Sequence, residues 1–149
     1  MPVLQGTFYS SVDAKSRVAV PARHREVLQA FGEGNLVGTV HHREPCLVLR
    51  PSLVWNTLAE RLREIPNTDP SVQQLLRKIL GNAQDLNPDT NGRILLSPAL
   101  REYAGLKGSQ KVAVVGMGEY LEIWDAKVWD EQMKREVDLG AEVLRDLRL

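Results

Sequence analysis

The sequence predicts an α+β fold built from two copies of one β-β-α-β-β-α unit. The first observation is a repeat in register. Asp13-Ala14-Lys15-Ser16-Arg17, then Val18-Ala19-Val20-Pro21-Ala22 and Arg25-Glu26, returns as Asp89-Thr90-Asn91-Gly92-Arg93, then Ile94-Leu95-Leu96-Ser97-Pro98 and Arg101-Glu102. The step is 76 residues, from Arg17 to Arg93. The second is that Trp55 and Trp129 stand 74 residues apart, so the repeat survives a small deletion, placed where His41 and His42 face Met117-Gly118. The third is that short apolar alternations and short helical stripes succeed one another. A period this long is not a solenoid unit; it marks a duplicated half-domain.

Leu4, Gly6, Phe8, Ser10 and Val12 alternate and predict a first strand. Asp13 to Ser16 makes a turn, and Val18-Ala19-Val20 returns as a short strand. Pro21 suits a helix start, so Ala22 to Phe31 reads as a short helix ended by Gly32 or Gly34. Strands follow at Leu36–Val40 and Cys46–Leu49, joined by a loop over His41 to Pro45. Pro51-Ser52 opens a helix with Trp55, Leu58, Ala59 and Leu62 on one face.

Asn67-Thr68-Asp69-Pro70 is a strong break with a capping residue and a proline at the first helical position. Val72, Leu75, Leu76, Ile79 and Leu80 then stripe a connecting helix, closed by Gly81-Asn82. In the second half Asn91-Gly92 suits a tight turn, and Ser97 with Pro98 opens a helix. Val112–Val115 and Tyr120–Trp124 are strands joined at a Gly116-Met117-Gly118 tip, and Asp125 caps a helix holding Trp129. Val137, Ala141, Leu144 and Leu147 stripe a terminal helix. The expected divisions are 1–66, a connecting helix at 67–82, 83–137, and a helical tail at 138–149.

Nineteen basic and nineteen acidic residues give zero net charge, which argues mildly against nucleic acid. Their placement argues otherwise. Lys15, Arg17, Arg23 and Arg25 cluster against Asp13 alone, while acidic residues gather in the predicted helices. A neutral chain with one basic face can hold phosphates there if several copies act together. The single cysteine, Cys46, excludes an internal disulfide and suits a reducing cytoplasm. The N-terminus lacks the pattern of a secretion signal, and the longest apolar run, Val112 to Met117, is too short for a membrane span.

Each aspartate can accept backbone N–H bonds of its turn, and the arginine four residues on begins the return strand. Both side chains therefore sit near a hairpin tip. One reading is a salt bridge bracing the turn. The other places Arg17 and Arg93 on one face, where a guanidinium fork fits phosphate or the O6/N7 edge of guanine. Lys15 would add a phosphate contact, and its counterpart Asn91 a neutral hydrogen bond. Arg25-Glu26 and Arg101-Glu102 read as local ion pairs or interface bridges, and Trp55, Trp124 and Trp129 as core or interface anchors.

An aspartic dyad is disfavoured. Lys15 stands where that site needs a neutral turn, and an arginine lies four residues from each aspartate. His41, His42 and Cys46 lack a fourth ligand for a metal site. No Gly-rich phosphate loop is present. No catalytic residue and no cofactor are expected.

The doubled D-x-x-x-R pattern, each copy followed by apolar residues and R-E, resembles the MraZ family of bacterial regulators of the division and cell-wall gene cluster. The resemblance covers residues 1 to about 137. It implies an AbrB-like swapped-hairpin β-barrel with flanking helices, and a homo-oligomeric ring, an octamer or dodecamer. It further implies binding to repeated elements of promoter DNA as a repressor of its own cluster, at the nucleoid and with no membrane partner. In that reading Arg17, Arg93, Lys15 and Asn91 contact DNA, while Asp13 and Asp89 support the motifs. A different class stays open beside it: an oligomeric scaffold or antitoxin-like module whose main partner is protein.

Overall fold

A computed structural model describes residues 3–32, 34–66 and 69–149. The break expected at Asn67-Thr68, with the division placed there, lies outside the described residues, as do Met1 and Pro2. The first half runs β1 (Leu4–Ser11), β2 (Arg17–Ala19), α1 (Ala22–Ala30), β3 (Leu36–Val40), β4 (Leu47–Pro51) and α2 (Ser52–Glu64). After α3 (Pro70–Gly81), the second half runs β5 (Gln84–Asp85), β6 (Arg93–Leu95), α4 (Pro98–Tyr103), β7 (Lys111–Gly118), β8 (Leu121–Asp125) and α5 (Ala126–Met133). The helix α6 (Ala141–Leu147) follows. Both halves thus repeat β-β-α-β-β-α.

The expected caps close as hydrogen bonds. Asp69 accepts from the Ser71 amide at 2.7 Å with Pro70 at the first helical position. Ser97 accepts from the Leu100 amide, and Asp125 from the Val128 amide, each at 3.3 Å. These bonds satisfy donors that a helix start leaves orphaned.

The halves are built through one another. Six antiparallel strands lie in the order β1-β7-β8-β4-β3-β5, and β2 pairs with β6 in a separate ladder. The first strand of each half therefore pairs with the third strand of the other: β1 on β7, β5 on β3. The two pairings are unequal. β1 matches β7 over eight residues, from Leu4↔Gly118 to Ser11↔Lys111, whereas β5 has two residues and soon meets Pro88, which has no N–H to donate. No ladder joins β1 to β5, so among the described residues the sheet is open and not the closed barrel expected.

Three boundaries move. Gly116-Met117-Gly118 is not a hairpin tip; β7 continues through it because β1 pairs there, and Met117 N–H donates to the Tyr120 carbonyl at 2.8 Å. Gly116 faces Gly6, and a Cβ at 116 would drive into the backbone of Leu4 and Gln5. Gly116→Ala should cost about 1–3 kcal/mol by overpacking, read as a lower midpoint in chemical denaturation. Cys46 precedes β4 and does not open it. Val137 lies outside α6, whose residues are all exposed.

The core lies between the ladders and helices, with Val18, Ile94, Leu36, Leu49, Leu100 and Leu121 buried. Trp124 is buried beside Cys46, Ala113 and Val115, with Trp129 packed against it. Trp55 is only half-buried, and none of the residues of α2 is fully buried. His24 is buried edge-on to Phe8, with ring centroids 5.0 Å apart. Burial pushes its pKa below the usual histidine value. The folded chain thus resists a proton that the unfolded chain accepts below about pH 6.5. Stability should be full above that pH and fall as the pH drops through it; in denaturant titrations His24→Phe should flatten this slope.

Candidate nucleic-acid interface

The two motifs fold into matching turns. In the first, the Asp13 N–H donates to the Arg17 carbonyl at 2.9 Å, and the Ser16 N–H to the Asp13 carbonyl at 3.0 Å. In the second, the Asp89 N–H donates to the Arg93 carbonyl at 2.8 Å, and the Gly92 N–H to the Asp89 carbonyl at 2.9 Å. Asp13 Oδ1 accepts the amides of Lys15 and Arg17, both at 2.9 Å. Asp89 Oδ1 accepts those of Asn91 and Arg93 at the same distance. The fourth residue of each motif is left-handed, Gly92 at φ 76° and Ser16 at φ 64°. Glycine adopts this freely, whereas Ser16 depends on its surroundings to hold it there.

The ladder of β2 on β6, centred on Val18↔Ile94, sets the turns side by side. This joins four side chains that the sequence offered as two separate pairs. Arg17 Nε lies 2.9 Å from Asp13 Oδ2, and its Nη1 lies 3.8 Å from Asp89 Oδ2. Arg93 Nε lies 3.5 Å from Asp89 Oδ2, and its Nη1 lies 3.9 Å from Asp13 Oδ2. Each carboxylate thus faces both guanidiniums, with the second copy held more loosely. The backbone amide of Arg17 holds the Asp13 carboxyl below its ordinary range, and that of Arg93 does the same for Asp89, with the arginine charges adding to it. The salt-bridge reading therefore describes real contacts, and they run within and across the motifs.

Two cations and two anions balance inside this cluster. Lys15 and Asn91 stand exposed at the tips, and Arg17 and Arg93 are half-buried beneath them. A guanidinium has five donors in a fixed fork; Nε and Nη1 of each arginine face carboxylates. Arg25 and Arg101 make no local ion pair among the contacts described. Their Nε atoms donate instead to the carbonyls of Val20 at 3.1 Å and Leu96 at 3.3 Å. The recurrence of R-E eight residues after each motif arginine is the signal that could have pointed to this shared role.

A second polar cluster went unread. His41, read as a loop residue, is half-buried, and its Nδ1 accepts the amides of Arg43 and Glu44 at 3.0 Å. Its Nε2 lies 3.7 Å from Oε2 of the buried Glu122, whose Oε1 accepts the Trp124 indole N–H at 3.0 Å. Burial lowers the His41 pKa and raises that of Glu122. Among the described residues no three His, Cys, Asp or Glu side chains are grouped to hold a metal ion, and no helix is long and apolar enough to cross a membrane.

The family model described as "MraZ protein, putative antitoxin-like" matches twice, at residues 3–78 and 79–147. A protein named Transcriptional regulator MraZ from Dechloromonas aromatica is 43% identical, over 95% of this chain and 91% of that protein. One of the same name from Halorhodospira halophila is 38% identical, over 87% of this chain and 84% of that protein. The solution structure of PHS018 from Pyrococcus horikoshii has 16% identity and a TM-score of 0.37, covering 81% of this chain and 97% of that one, a likeness too weak to define the fold. The relatives' names describe regulators and not enzymes. On the two matches of its model and on these identities, the chain belongs to the MraZ family.

Proposed function

We propose that the chain is a sequence-specific DNA-binding transcriptional regulator, a repressor of the division and cell-wall cluster that contains its gene. One observation carries this: two matching Asp–Arg turns set side by side, with both arginines in one cluster and Lys15 and Asn91 exposed above them. Arg17 and Arg93 contact base edges or phosphates, Lys15 a phosphate, and Asn91 a hydrogen-bonding group. Asp13 and Asp89 hold the turns. The halves 1–66 and 83–137 supply one turn each, 67–82 links them, and 138–149 is a tail. The exchange of first strands between halves supports a swapped-hairpin, AbrB-like topology. The relatives' names support the regulatory reading.

One chain offers few contacts, and its cluster is internally neutral. Several copies are needed, because tethering raises effective concentration without any new kind of contact. A ring of eight or twelve subunits, nucleoid-associated in the cytoplasm, supplies them. The unburied faces of α2 and α3, with Leu53, Leu75 and Leu80 exposed, support subunit contacts. The protein should therefore sediment as one large species, and a monomer would contradict the ring. The functional test is titration onto a duplex from just upstream of its own coding sequence, beside a scrambled duplex, at two salt concentrations. Selective, salt-sensitive binding is expected; equal binding to both duplexes would contradict the proposal.

A second reading rests on the tail, where Val137, Leu139, Val143, Leu144 and Leu147 are exposed. That apolar surface favours a protein partner, as in an antitoxin-like module. Such binding would survive removal of Arg17 and Arg93 and would depend little on salt.

A further inference from the structure

We infer that Arg25 and Arg101 are positioning residues that act across the halves, each setting the Asp–Arg turn of the other half. The consequence for binding rests on the DNA reading above; the bracing itself does not. The connection runs through two hydrogen bonds. The Gly92 carbonyl, in the second turn, accepts the Val20 N–H of the first half at 2.7 Å. The Val20 carbonyl in turn accepts Arg25 Nε at 3.1 Å. The Arg25 side chain then closes the loop by lying against the Gly92 backbone. A Cβ at 92 would sit 2.6–2.7 Å from Arg25 Cδ, Nε and Cζ.

The mirror path exists. The Ser16 carbonyl, in the first turn, accepts the Leu96 N–H of the second half at 3.0 Å, and the Leu96 carbonyl accepts Arg101 Nε at 3.3 Å. Arg101, Lys15 and Ser16 line one groove. The mirror is imperfect for a steric reason. Arg25 occupies the space that a side chain at 92 would need, while Ser16 carries its own Cβ. The second turn, whose Arg93–Asp89 contact is looser, is thus the one with an arginine laid directly on it.

A planar guanidinium suits this post. It donates to the carbonyl through Nε while its flat face and stem cover a bare peptide. Lysine at 25 could reach the Val20 carbonyl but could not cover Gly92, so Arg25→Lys should keep part of the effect. Neither turn is complete without the opposite half.

Hydrogen exchange of the full-length oligomer, without DNA, tests this directly. Arg25→Ala should speed exchange at Asn91, Gly92 and Arg93 about tenfold, the weight of one charge-assisted hydrogen bond, and leave Lys15 to Arg17 unchanged. Arg101→Ala should do the reverse, and Arg25→Lys should fall between. Where Arg25→Ala fails to fold, Arg25→Lys carries the same reading. On the upstream duplex Arg25→Ala should weaken binding with the salt slope unchanged. Exchange altered only within residues 18–30, or a salt slope reduced by about 0.9 per engaged copy, would overturn the inference. Cross-half exchange without duplex selectivity in the wild type would sink the DNA reading and leave the bracing standing.

Discussion

Replacing Arg17 and Arg93 together with alanine should weaken binding to the native upstream duplex by at least about thirtyfold, since each good bidentate base contact is worth about 1–3 kcal/mol. The loss has a second source. Asp13 and Asp89 would be left as uncompensated carboxylates facing phosphates. Folding should hardly change. The ion pairs are partly exposed, and such pairs contribute about 0–1 kcal/mol each, whereas the turns are held by backbone amides on Asp13 and Asp89 Oδ1, which the substitution leaves in place. Fluorescence anisotropy and chemical denaturation on the same preparation separate the two effects. A variant that binds like the wild type removes the arginines from the interface.

The aspartates should show the opposite balance. Asp13→Ala with Asp89→Ala removes four amide bonds to carboxylate oxygens. The double variant should therefore unfold at a clearly lower denaturant midpoint than the wild type. Asparagine keeps an oxygen that accepts both amides, so Asp13→Asn with Asp89→Asn should unfold much closer to the wild type. It also removes two negative charges beside the arginines. Binding to a scrambled duplex should then tighten and selectivity narrow. Equal denaturation midpoints for the alanine and asparagine variants would show that the carboxylates do not hold the turns. Because both carboxyls titrate below their usual value of 3.8, their stabilising contribution is present above that pH. It is lost only as the pH falls through their lower folded-state values.

The repeat was legible because both turns need the same chemistry: an acceptor at the first position, a left-handed fourth residue and an arginine starting the return strand. Helix starts at Asp69, Ser97 and Asp125 were legible because capping is local. Strand partners were not. Alternation in Leu4 to Val12 shows that β1 has two faces, but pairing with β7 of the other half is a contact across more than a hundred residues. That pairing decides why β7 runs on through Gly116 and Gly118, glycines that otherwise read as a tip. The ladder of β2 on β6, likewise distant in sequence, turns two motif salt bridges into one cluster. Arg25 and Arg101 read as surface ion pairs because each stands next to a glutamate, while the carbonyls they bond lie five residues back. His41 looked like a loop histidine because nothing local shows Glu122 beneath it.

The claim that both turns form one interface is tested most directly by the salt dependence of binding for Arg17→Ala and Arg93→Ala as separate variants. Affinity for the native upstream duplex would be measured across a salt series beside the wild type. Both variants should bind more weakly. If the arginines meet phosphates, each should also lower the slope of log K against log salt by about 0.9 for every engaged copy. If they meet bases, selectivity over the scrambled duplex should fall instead. A variant whose affinity, slope and selectivity all match the wild type would show that its turn lies outside the interface, and the two-turn account would be wrong.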